Sequence, residues 1–137
     1  MQNEPGARRP SDMGARDKPD INEHTFEFAL RILKLVRALP RDVAGQIVAR
    51  QVGRSGTGVG SNVEEAQGAH TKKEFAQKMN IARKEALETR YWLRLIGESG
   101  TMPRERLAEL LQESDELVRI LTAIVKRARG DGDQAKR

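Results

Sequence analysis

Residues Arg50 to Phe75 read RQVGRSGTGVGSNVEEAQGAHTKKEF, with glycines at 53, 56, 58 and 60 followed by an Asn-Val-Glu-Glu-Ala run and a Thr-Lys-Lys-Glu-Phe restart. Two incompatible structures compete for this segment: a phosphate-binding loop and a helix. Gly53 and Gly58 have the Walker A separation, yet Val59 and Gly60 stand where a lysine and a Ser/Thr must reach phosphate and magnesium. A dinucleotide fingerprint fails too, because Ser61 takes the third glycine's place and no β-rich run precedes the turn. The helical reading is better supported. Val43, Ile47, Val52, Val59, Val63 and Ala66 recur at helical spacings, although each interior glycine costs about 1 kcal/mol relative to alanine. Such a cost is offset where small side chains let a neighbouring backbone approach closely.

Working outward, the chain divides into four helical segments. The first is expected from Asn22, as N-cap, to Leu39, where Pro40 restricts the residue before it. It carries two apolar rows. Phe26, Ala29, Leu30, Leu33 and Val36 form one, and Phe28, Ile32, Leu35 and Leu39 the other. That exceeds the ~100° stripe one bundle can bury, so a second contact surface is expected, with Phe28 and Ile32 as interface candidates. The second helix is expected over 42–66 and the third over 72–96, with Thr71 and Glu74 forming a capping box. The fourth follows Pro103, carries the cleanest amphipathic stripe in the chain, and is expected to end near Arg127. Residues 1–20 read as a disordered leader and 130–137 as a polar tail, leaving 21–129 for the bundle.

At 137 residues the chain has the length of one domain with a single core. Aromatics are scarce, and the abundance of Ala, Leu, Arg, Glu and Lys predicts an all-α fold. The absence of cysteine excludes disulfides and thiolate metal sites, and no run of about 18 apolar residues exists to span a membrane. A cytoplasmic protein without cofactor or metal is expected. His70 reads as a solvated residue at a turn; His24, the only other histidine, has no spaced carboxylates to complete a site. Glu64 and Glu65 read as structural partners of arginine rather than a catalytic pair, and no nucleophile, base and orienter can be assembled, so no enzymatic activity is expected.

Gln51, Arg54-Ser55, Asn62, Glu64 to Gly68 and Lys73-Glu74-Phe75, followed by Ile81-Ala82, resemble the motif Q-x-x-R-[SA]…N-[IV]-x-E-[AG]…K-E-F…A of a four-helix-bundle family. That family includes proteins encoded in 23S rRNA intervening sequences and the accessory variability proteins of diversity-generating retroelements. The resemblance covers about residues 23 to 125. It departs at Gly56 and Gly58, where alanine and serine are more usual, and in the N-terminal leader. The resemblance implies an all-α fold that is an antiparallel up-down four-helix bundle, a homopentameric ring with a basic surface and, in retroelements, a reverse transcriptase partner.

The charge distribution sharpens the functional expectation. Residues 69–97 hold seven basic and three acidic groups, a net of +4 within the chain's +5 total. Residues 98–125 carry three basic against six acidic groups (−3), and the tail from Lys126 five against two (+3). Lys72, Arg83, Arg90 and Arg94 fall in one line on the third helix, with Lys73, Lys84 and Tyr91 on the adjoining row. A solvated charged face is the default reading of such a stripe. The functional alternative is an RNA- or DNA-binding face made by these residues together with Arg50 and Arg54 of the second helix. For Gln51, Arg54 and Asn62 the preferred structural reading is a buried hydrogen-bond network. Ile81, Trp92 and Leu95 point nearly opposite to Phe75, Ala82, Ala86 and Leu93, which makes them candidates for an oligomer interface.

Overall fold

The structure is a computed structural model that describes residues 20–136, with side chains to Gly130. Four helices follow in order among the described residues: α1 (Ile21–Ala38), α2 (Val43–Ala66), α3 (Lys72–Glu98) and α4 (Ala108–Lys136), with a 3-10 turn, Arg104–Arg106, before α4. Each packs on its neighbour in sequence, as short connections between antiparallel helices require. The expected leader lies outside the described residues. At the other end α4 runs past the limit expected near Arg127, reaching Lys136.

Local chemistry explains most boundaries. Asp20, not Asn22, caps α1: its carboxylate accepts from Asn22 N at 3.1 Å. Asp42 caps α2 by accepting from Gly45 N at 2.8 Å. At α3, Thr71 Oγ1 accepts from Glu74 N at 3.0 Å, while Glu74 Oε1 reaches back to His70 N at 2.8 Å, one residue before the usual target of a capping box. Gly100 ends α3 in the left-handed region at φ 76°, and Gly100 N and Thr101 N close onto the carbonyls of Gly97 and Ile96. This is the double bond pattern of a Schellman terminus.

The glycine-rich segment is helix throughout. Its glycines serve two neighbours. A Cβ on Gly56 would stand 2.7 Å from Ile32 Cγ1, and one on Gly60 3.1 Å from the Thr25 carbonyl oxygen, so α1 lies where side chains would otherwise be. Gly58 faces α3, where a Cβ would meet the Glu85 carboxyl at 3.2 Å.

That close approach settles which apolar row of α1 turns inward. Phe28 and Ile32 are fully buried in the core together with Val52 and Val59 of α2, Met79 and Leu93 of α3, and Leu117 and Leu121 of α4. They are therefore core residues of the single chain and not interface residues. The row left outside is Phe26, Leu30 and Leu33, exposed by 60%, 48% and 40%.

Candidate nucleic-acid interface

The eight basic residues expected at a nucleic-acid face do not share one environment. Arg54 sits in the seam between α2 and α3, where it pairs with Glu88, lies 3.5 Å from Glu85 Oε1 and donates to Gln51 Oε1 at 3.2 Å. Trp92 Nε1 joins this cluster by donating to Glu88 Oε2 at 3.0 Å. The Gln51–Arg54 network is real but lies at the surface, with half of the Arg54 side chain exposed. Asn62 stays apart from it, donating to the Gly58 carbonyl of its own helix at 2.8 Å. The buried polar link between these helices is a different one: Thr89 Oγ1 is hydrogen-bonded to Ser55 Oγ at 2.9 Å and to the Glu85 carbonyl at 2.8 Å.

Burial beside α2 raises the Glu85 pKa above its ordinary value; Arg54 opposes the shift and the neighbouring Glu88 carboxylate adds to it. Among the described residues Glu64 and Glu65 do not pair with arginine. Glu64 accepts from Asn22 Nδ2 at 3.1 Å and Glu65 from Lys78 Nζ at 2.8 Å, because those are the side chains that α1 and α3 present to the end of α2.

On α3, Arg90 reaches across to Asp115 of α4 at 2.9 Å, and Arg83 Nε donates to Asn80 Oδ1 at 2.9 Å. Lys73, Lys84 and Arg94 are exposed and make no ion pair among the described residues, and the same holds for Arg50 on α2. Lys72 is exposed at the first turn of α3. Tyr91, 56% exposed, packs edge-on against Trp92 with ring centroids 5.0 Å apart.

The Arg90–Asp115 pair joins the α3 stripe to basic residues that the sequence reading missed. From Asp115, Arg119, Thr122, Lys126 and Arg129 follow at alternating spacings of four and three, one line along α4 on the side that meets Arg90. Arg119, Lys126 and Arg129 are exposed and unpaired among the described residues. For Lys126 and Arg129 a signal was present in the positive tail charge, but its alignment with α3 depends on antiparallel packing. Among the described residues no three His, Cys, Asp or Glu side chains gather as they would around a metal ion.

Ile81 and Leu95 are exposed on the outer side of α3 by 41% and 38%, and Trp92 is half-buried against the core beside them. No helix among the described residues is long and apolar enough to cross a membrane.

Residues 17–123 match the family described as 23S rRNA-intervening sequence protein. The chain belongs to that family. It is similar to a crystal structure of a protein of unknown function from the S23 ribosomal protein family of Bacteroides thetaiotaomicron, with 36% identity and a TM-score of 0.74 over 78% of this chain and 99% of that one. No curated protein matches the chain in sequence. The 23S rRNA-intervening-sequence family and the four-helix bundle are thus the part of the resemblance that the comparisons and the fold bear out.

Proposed function

We propose that this member of the family is a non-enzymatic, self-assembling cytoplasmic protein that binds nucleic acid, RNA in the first instance, through phosphate contacts on its α3–α4 face. The observation that carries the reading is the set of exposed cations without a described partner. Lys73, Lys84 and Arg94 of α3 continue onto Arg119, Lys126 and Arg129 of α4, and Asp115 between them is already engaged by Arg90. Tyr91 within this face offers a ring on which an unpaired base can stack. The family's association with rRNA intervening sequences makes RNA the first ligand to examine, and a retroelement reverse transcriptase is the protein partner suggested by the motif's other bearers.

Phosphate contacts predict affinity that falls steeply with salt and weak sequence preference. In the triple variant K73Q/K84Q/R94Q the salt slope measured on a structured RNA is expected to flatten by about one unit for each phosphate no longer neutralised, with helix content unchanged. Equal affinity of variant and parent at every salt concentration would sink the reading.

A purely structural or assembly role is the second reading, and the apolar rows support it. Phe26, Leu30 and Leu33 lie on α1 and Ile81 and Leu95 on α3, two helices that are diagonal in the bundle. A row-to-row contact between copies would therefore be head-to-tail, the arrangement that closes into rings such as the expected pentamer. A monomer by light scattering at micromolar concentration would contradict self-association, and L30E should reduce assembly size while leaving helicity intact.

A further inference from the structure

At the elbow between α1 and α2, on the side of the bundle away from the α3–α4 face, a groove of about 560 Å³ is lined by Arg37, Arg41 and Arg50. No carboxylate lines it, and none of the three guanidinium groups has an ion pair among the described residues. Four other arginines, Arg31, Arg54, Arg90 and Arg104, each face an acid. Three uncompensated arginines around one concavity repel one another, and an anion bound among them would relieve that repulsion.

The groove's walls are ordered by the elbow itself. The Pro40 carbonyl lies so close over Gly45 that a Cβ there would fall 1.9 Å from its oxygen, and Gln46 Nε2 donates to the Arg41 carbonyl at 2.7 Å. Asp42, the nearest acid in sequence, is turned to the Gly45 N–H as the α2 cap and stays out of the lining. Leu39, Pro40 and Ala49 supply apolar wall beside the guanidinium groups. The volume falls within the roughly 300–1,000 Å³ range of small-ligand sites.

We infer that the Arg37–Arg41–Arg50 groove binds a phosphate monoester carried by a nucleotide, with the arginines on the phosphate and the apolar wall against the nucleoside. Guanidinium groups match phosphate oxygens in paired hydrogen bonds, and a terminal phosphate offers more charge and more free oxygens than an internal phosphodiester. The nucleotide is either free or the 5′ end of a strand. This inference does not depend on the α3–α4 face.

The test is fluorescence anisotropy on the full chain with a short 3′-labelled uridine oligonucleotide, bearing either a 5′-phosphate or a 5′-hydroxyl, and competition by AMP and by inorganic phosphate. The parent is expected to prefer the phosphorylated end by about tenfold, and R37Q/R41Q to lose that preference. K73Q/K84Q/R94Q should weaken both oligonucleotides and keep their ratio, so a failed α3–α4 face and a failed groove are told apart. Competition by AMP that R37Q/R41Q abolishes, without an end preference, assigns the site to free nucleotides. Equal affinity for both ends, with no competition by AMP or phosphate, overturns the inference. So does an R37Q/R41Q variant that keeps the preference but assembles into smaller particles, because the arginines then serve a contact between copies.

Discussion

α1 meets its two neighbours in opposite ways. Against α2 it lies on backbone, with Ile32 over Gly56 and the Thr25 carbonyl over Gly60. Its contact with α4 is slight, and long charged side chains span much of it: Arg31 pairs with Glu113 and, at 3.1 Å, with Glu109, while His24 Nε2 lies 3.5 Å from Glu113. The first seam is fixed by shape and leaves no room for an added atom at Gly56 and little at Gly60. The second is held by charges that can adjust, and salt screens them. Helix propensity sacrificed at the glycines is thus recovered on one side of α1 only.

The sharpest way to break the shape-defined side is at the elbow. Gly45→Ala would place a methyl group 1.9 Å from the Pro40 oxygen, a backbone atom that cannot rotate away. The expected loss is at least about 3 kcal/mol of unfolding free energy in urea titration. Gly56→Ala meets Ile32 at 2.7 Å, a side chain with some freedom, so about 1–3 kcal/mol is expected. On the charged side, Arg31→Gln should cost no more than about 1 kcal/mol, and that cost should shrink as salt is raised. If Arg31→Gln proved as costly as Gly56→Ala, the contrast between the seams would be wrong.

A smaller effect is expected where the glycine contact is loose. A Cβ on Gly53 would stand 3.5 Å from Val36 Cγ2, an ordinary contact, so Gly53→Ala should stabilise by up to about 1 kcal/mol. Glu85 tests the α2–α3 side of the same helix. Its pKa is raised in the folded state, so folded protein binds more protons than unfolded and Glu85 lowers stability as pH rises through and above about 4.5. Stability measured across that interval should diverge between parent and Glu85→Gln, with the variant relatively better at higher pH; divergence of the opposite sign would contradict the burial argument.

What the sequence disclosed divides by range. Thr71 and Glu74 revealed the start of α3 because a capping box is closed within five residues. The motif from Gln51 to Phe75 pointed to the family and its bundle. Asn22 was mistaken for a cap because Asp20, two residues earlier, is equally able to accept a backbone N–H. The inward row of α1 was misread for a different reason. Two rows of similar hydrophobicity cannot be ranked by periodicity; the glycines of α2, a separate helix, decide it. For the basic residues, position was legible and availability was not. Arg90 is engaged by an acid 25 positions away and Arg54 by one 34 positions away, and such pairings exist only once the helices are antiparallel.

The Ser55–Thr89 hydroxyl pair has a consequence for how α2 and α3 slide past each other. Apolar side chains along two long helices offer nearly equivalent packings one turn apart, about 5.4 Å of axial displacement. Two hydroxyl groups fully buried at one height remove that degeneracy, since a slipped bundle would leave Ser55 facing carbon. A single small hydrogen bond thereby acts as a detent, selecting one axial register among several the core alone would accept.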